Sequence, residues 1–86
     1  MIFPTVHLNG TSANMLTEDY LAASRAVREA KEALQKIEFN ARDYYPQGMH
    51  IWDEAVREHR ARLVTLEKMS EELMEIAAHC DQYRKP

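Results

Sequence analysis

The sequence predicts an all-α fold: a long antiparallel helical hairpin with a short extended N-terminal arm, assembling with copies of itself into a helical bundle. Two stripes and the break between them carry that expectation. Trp52, Val56, Leu63, Leu66, Leu73, Ala77 and Cys80 recur at alternating steps of four and three, with His59 and Ser70 filling the two missing steps. Leu16, Tyr20, Ala23, Val27, Ala30, Leu34 and Ile37 follow the same rhythm without a gap. Each series is a heptad stripe that a helix gathers on one side. Between the stripes, Pro46 and Gly48 interrupt helical continuity. The 86 residues therefore divide into an arm (1–11), a helix (12–39), a loop (40–49) and a second helix (50–83) of one small domain.

In the arm, Ile2, Val6 and Leu8 alternate with Thr5 and His7, and Pro4 excludes a central strand position. An extended arm or short edge strand lying on a helix surface is expected. Asn9-Gly10 turns the chain, both residues tolerating positive φ. Thr11 or Ser12 then caps the first helix, its hydroxyl accepting from an unpaired amide of the first turn. Along that helix Ala22, Ala26 and Ala33 widen the stripe with small residues, and Arg25–Glu29, Arg28–Glu32 and Glu32–Lys36 stand four apart on the wet side. The connection of about ten residues is longer than an antiparallel pair requires, which makes it a place to look for function. The last residues, Tyr83 to Pro86, are expected to fray.

Folding the helices against each other pairs Ile37 with Trp52, Leu34 with Val56, Ala30 with His59, Val27 with Leu63, Ala23 with Leu66, Tyr20 with Ser70 and Leu16 with Leu73. The register stays constant, and it gives both polar intruders a place: His59 beside the small Ala30, and Ser70 within reach of the Tyr20 hydroxyl. A lone hairpin leaves the flanks of Ala22, Ala26, Ala33, Ala55, Met69 and Ile76 without a partner. A second hairpin supplies the missing half of a bundle, so a dimer or higher homo-oligomer is expected.

Composition narrows the function classes. Cys80 is the one cysteine, so no disulfide forms within the chain, and its place on the stripe makes it a small buried hydrophobe. The net charge of −3 argues against wrapping long nucleic acid, although a local basic patch can still hold a small anion. No basic leader precedes an apolar run, and no stretch approaches the roughly 18 apolar residues of a membrane span, so a cytoplasmic location is expected. No metal and no cofactor are expected: His7, His50, His59, His79 and Cys80 lack zinc-motif spacing. No Ser, Cys or Thr stands beside a recognisable base and orienter, so the chain reads as non-catalytic.

The loop Arg42-Asp43-Tyr44-Tyr45, with Gln47 close by, is the most suggestive cluster. Arginine presents a planar fork to phosphate or carboxylate, and tyrosines present flat faces to a base. An ordinary role stays open for the same residues: one tyrosine stapling the loop to the helices, Trp52 capping the core, and Arg42 paired with Asp43 or a carbonyl. Asn9, Thr11 and Ser12 form a second cluster, whose amides and hydroxyls gather at a helix N-terminus and favour an anion. A third combines His59, Arg60 and Arg62 with Arg25, Arg28 and Lys31 at the waist of the hairpin, where interleaved glutamates make a solvated mixed surface the competing reading. The first helix holds the first two clusters roughly 40 Å apart, so only an antiparallel pair of hairpins brings one copy's cap beside the other copy's loop.

Taken together, Thr5-Val6-His7-Leu8-Asn9-Gly10-Thr11-Ser12 and Arg42-Asp43-Tyr44-Tyr45-Pro46-Gln47-Gly48 give a resemblance. The chain resembles small helical proteins of tailed phages and prophages. More loosely, it is similar to phage anti-defence proteins that assemble as oligomers and sequester nucleotide immune signals, such as cyclic dinucleotides or cyclic ADP-ribose derivatives. That resemblance implies a phage protein in the host cytoplasm acting as a sponge for a nucleotide signal. The expected ligand-binding residues are Asn9, Thr11, Ser12, Arg42, Asp43, Tyr44, Tyr45, Gln47 and His59. The competing expectation is a module that binds, or inhibits, a host or phage protein through its helix flanks and tyrosine-rich loop.

Overall fold

In the computed structural model, which describes residues 1–85, two helices lie side by side in opposite directions. Helix α1 spans Ala13–Gln35 and helix α2 spans Met49–Asp81. Two short 3₁₀ turns, Ala41–Asp43 and Tyr45–Gln47, lie between them. No strand occurs among the described residues. The molecule is a rod of 60 × 22 × 16 Å.

Ser12 starts α1: its Oγ accepts from the Met15 amide at 3.1 Å and its carbonyl accepts from the Leu16 amide. The expected continuation to Phe39 does not occur. The helix stops at Gln35, where Lys36 and Ile37 close a tight last turn onto Ala33 and Leu34, and Ile37 is left 53% exposed. No glycine or proline marks this stop, and its consequence is tertiary: beyond it, Phe39 bends onto α2. At the start of α2, Gly48 has φ 110° and ψ 151°, a backbone region that essentially only glycine enters.

The seam of α2 follows the expected stripe, with every position from Trp52 to Cys80 buried or half-buried. The seam of α1 differs. Tyr20, Val27 and Leu34 belong to it as expected, but Ala13, Thr17, Ser24 and Lys31 complete it, while Ala23 and Ala30 are exposed. Both series keep steps of four and three and share those residues, so a rotation of α1 about its axis exchanges them.

The pairing register is also one helical turn away from the expected one. Ser70 meets Ser24 rather than Tyr20: the two hydroxyls lie 3.0 Å apart, and Ser24 Oγ is 3.0 Å from the Ser70 carbonyl. Lys31 reaches Glu67 across the same seam. A buried serine needs a partner, and two facing serines satisfy each other while letting the backbones approach closely. Thr17, also buried, donates to its own helix at the Ala13 carbonyl, 2.7 Å away. Among the described residues the fully buried side chains are consequently small; Thr17, Cys80 and Ser24 are the largest.

His59 does not meet Ala30 and Trp52 does not meet Ile37. Because α1 ends early, both lie beyond or beside its last turn and are covered by the connection instead. Phe39 stacks on His59 with ring centres 4.4 Å apart and leans on Trp52 at 5.0 Å, and Tyr44 closes the group at 5.5 Å from Phe39 and 5.7 Å from Trp52. At the opposite end the arm lies on α2 as an extended segment. Phe3 stacks on His79 at 4.8 Å, and His79 Nε2 lies 3.0 Å from the Pro4 carbonyl oxygen. A carbonyl only accepts, so Nε2 carries the proton, leaving Nδ1 to accept from the Gln82 amide.

Candidate functional site

The predicted ligand residues lie at the two ends of the rod. At one end, a groove of about 510 Å³ opens beside the start of α1. Gly10, Ser12 and Asn14 line it together with His7, Tyr83 and Lys85. Its floor forms because the chain doubles back at Gly10, whose amide donates to the His7 carbonyl at 3.1 Å. Gly10 does not use positive φ, contrary to the expectation for this turn. The His7 ring lies close over it: a Cβ here would stand 2.8 Å from His7 Nε2, an exposed side chain that would have to swing aside. Asn9 and Thr11 are exposed in the same turn.

Val6, Leu8 and Ala13 give the groove a mainly apolar lining, and its polar side is the start of α1. A helix begins with amides that lack an intrahelical acceptor. Ser12 satisfies those of Met15 and Leu16, and among the described residues those of Ala13 and Asn14 find no acceptor. The partial positive charge of α1 points the same way, and Lys85 adds a full one at the rim. Of the terminal residues expected to fray, Tyr83 and Arg84 are held and Pro86 lies outside the described residues: Arg84 bonds Glu18 at 2.6 Å and Asp81 at 3.4 Å, and these carboxylates raise its pKa above the usual arginine value. Lys85 and Tyr83 were invisible to local pattern reading, since only the docking of α2 beside Glu18 brings them to α1.

At the other end, Asn40 caps the first 3₁₀ turn by accepting from the Arg42 amide at 3.1 Å. That cap presents Arg42 and Asp43 outward, both exposed. Arg42 makes no ion pair among the described residues. The two tyrosines separate. Tyr44 is half-buried in the aromatic group, whereas Tyr45 is 58% exposed and Gln47 is exposed beside it. His59 belongs to the aromatic group, stacked on Phe39 and half-buried. Arg42, Asp43, Tyr45 and Gln47 are thus presented at the surface of this end. Tyr44 and His59 contribute to its packing.

The expected basic waist is divided. Arg25 and Arg28 border a hollow with Leu21 and Met74 on one broad side, while Arg62 lies with Leu34, Ala61, Thr65 and Leu66 on the other and pairs with Glu58 at 3.4 Å. The hydrogen bond and charge of Lys31 hold the Glu67 carboxyl below the ordinary glutamate range, with Arg28 adding to the effect. The i,i+4 pairs expected along α1 are not among the ion pairs of the described residues.

With α1 between them, the two ends stand roughly 35 Å apart, at about 1.5 Å for each of its 23 residues. One chain cannot close both around one small molecule. No helix is long and apolar enough to cross a membrane, and no cluster of three potential metal ligands occurs among the described residues. Compared with known proteins, the chain matches no family model, no curated protein and no solved structure.

Proposed function

We propose that this chain is a non-catalytic, homo-oligomeric protein that captures a small phosphorylated ligand, a nucleotide signal of the kind phage sponges sequester, between subunits. The observation that carries the reading is the groove at the start of α1, lined by Ser12, Ala13, Asn14 and Lys85, beside a helix end whose first amides lack an intrahelical acceptor. Such a site suits a phosphate group. Its volume lies within the range of small-molecule pockets, about 300–1,000 Å³. Arg42 of a neighbouring subunit supplies the planar fork for a second phosphate, and its Tyr45 the stacking face for a base.

Calorimetry against a panel of linear and cyclic nucleotides tests this. Binding to at least one is expected, with Arg42→Ala and Lys85→Ala each weakening it about tenfold or more, the value of one lost charge-assisted contact. Absence of binding across the panel, or affinity indifferent to both substitutions, defeats the reading. A second reading, a module that docks on another protein, is favoured by the apolar surface of the loop end, where Tyr45 and Met49 are exposed. A stoichiometric protein captured from cells, and retained through nuclease and small-molecule washing, would select it.

A further inference from the structure

The hairpin has two unlike broad sides. One carries charge: Arg25 and Arg28 flank Leu21 and Met74, and the Lys31–Glu67 bridge crosses nearby. The other is formed by Ala23 and Ala30 of α1, at heptad spacing, and by Leu66, Met69, Leu73 and Ile76 of α2, with a single ion pair among the described residues, Arg62–Glu58, at its Leu66 end. The two alanines and Met69 are exposed and the rest half-buried.

We propose that this second side is where another copy of the chain packs, end for end, to form a four-helix bundle. Area is the first argument. The chain exposes 6596 Å², whereas a compact monomer of 10.0 kDa exposes roughly 5,200 Å². The excess of about 1,400 Å² belongs to the whole rod, and it is large enough to include the roughly 800 Å² that each partner contributes to a standard interface. The second argument is the seam, which encloses no large apolar side chain fully, so the leucines and Met69 finish their burial only against another surface.

Geometry selects a second copy and its direction. The alanines let α1 approach an α1 closely, and a two-fold axis lying in the interface across the helices sets α1 on α1 and α2 on α2, each antiparallel. With that axis near Thr65, the middle of α2, the rods overlap along their full length. Each groove at Ser12 then stands beside the partner copy's Arg42 turn. The inference deepens the inter-subunit reading above by naming the face that assembles it.

Met69 and Met74 provide a matched test, being 44% and 42% exposed on opposite sides. Light scattering at micromolar concentration is expected to give at least twice the chain mass for the native protein and for Met74→Glu, and the chain mass for Met69→Glu. A solitary native chain, or equal behaviour of the two variants, overturns the proposal. Should Met69→Glu fail to fold, oxidation decides: Ala30→Cys, close to the axis, cross-links to its own copy, and Glu32→Cys does not. Failure of Ala30→Cys to cross-link, or equal cross-linking of both, also overturns it. A dimer paired by this face that binds no nucleotide would refute the ligand reading alone, and a dimer paired through another face that still captures nucleotide between its subunits would refute this pairing alone.

Discussion

At Ser24 and Ser70 a polar contact occupies the centre of the seam, where the stripe already placed Ser70 but paired it with Tyr20. Each hydroxyl has a second acceptor in the facing backbone, so removing one serine leaves the other partly satisfied. Ser70→Ala is expected to cost about 1 kcal/mol. Replacing both serines by alanine should cost less than the two single changes together, because no hydroxyl is then left without its partner. Urea denaturation of the four proteins at one fixed concentration measures this coupling, and strict additivity would show that the pair contributes nothing as a pair. Gly48 makes a different demand. Its φ of 110° with ψ of 151° excludes side chains, so Gly48→Ala is expected to lose on the order of 1–3 kcal/mol in the same experiment. An unchanged midpoint would mean that the turn into α2 has another accessible path.

At the level of whole helices, α2 was legible in the sequence from end to end because its stripe has no competitor: one line of positions carries Trp52, the leucines and Cys80. Helix α1 offers two lines sharing Tyr20, Val27 and Leu34. Hydrophobicity favours the line through Leu16 and Ala23, but the native seam takes the one through Thr17 and Ser24, decided by partners on the other helix. The register slip, the early stop at Gln35 and the role of Phe39 all follow from that tertiary choice. Of the candidate site, the capping serine and the exposed Arg42 turn were legible, being local, while the contributions of Tyr83 and Lys85 were not. Phe39 also gives this scale a direct measurement. Phe39→Ala uncovers Trp52, the single tryptophan, so its emission is expected to shift to longer wavelength with a loss of about 1–2 kcal/mol for a half-buried ring. Emission unchanged by the substitution would place the ring elsewhere. The bridge between the helices adds a pH dependence. The Glu67 pKa is lowered in the folded chain, so its contribution is present above the ordinary glutamate range and fades as pH falls through the depressed value. A carboxyl titration followed by NMR should find Glu67 below that range and Lys31→Met should return it, whereas an unmoved titration would show that Lys31 does not hold it.

For the molecule as a whole, shape decides stability. A rod 60 Å long and 16 Å thick keeps most of its side chains near a surface, and the fully enclosed ones are no larger than a threonine or a cysteine. Burial of apolar area is the main favourable term in folding, and it competes with a chain-entropy cost that grows with every ordered residue. A single copy therefore sits near the balance point, and the proposed pairing, by covering Met69 and Leu73, would move it toward the folded state. Mass action makes this measurable. For a dimer that unfolds to separate chains, the melting temperature rises with total protein concentration, while a self-sufficient monomer melts at one temperature. Circular dichroism melts over a hundredfold dilution should show a steady fall in midpoint for the native chain and for Met74→Glu. A midpoint independent of concentration in the native chain would mean that the seam alone suffices, and the apolar broad side would then need another explanation.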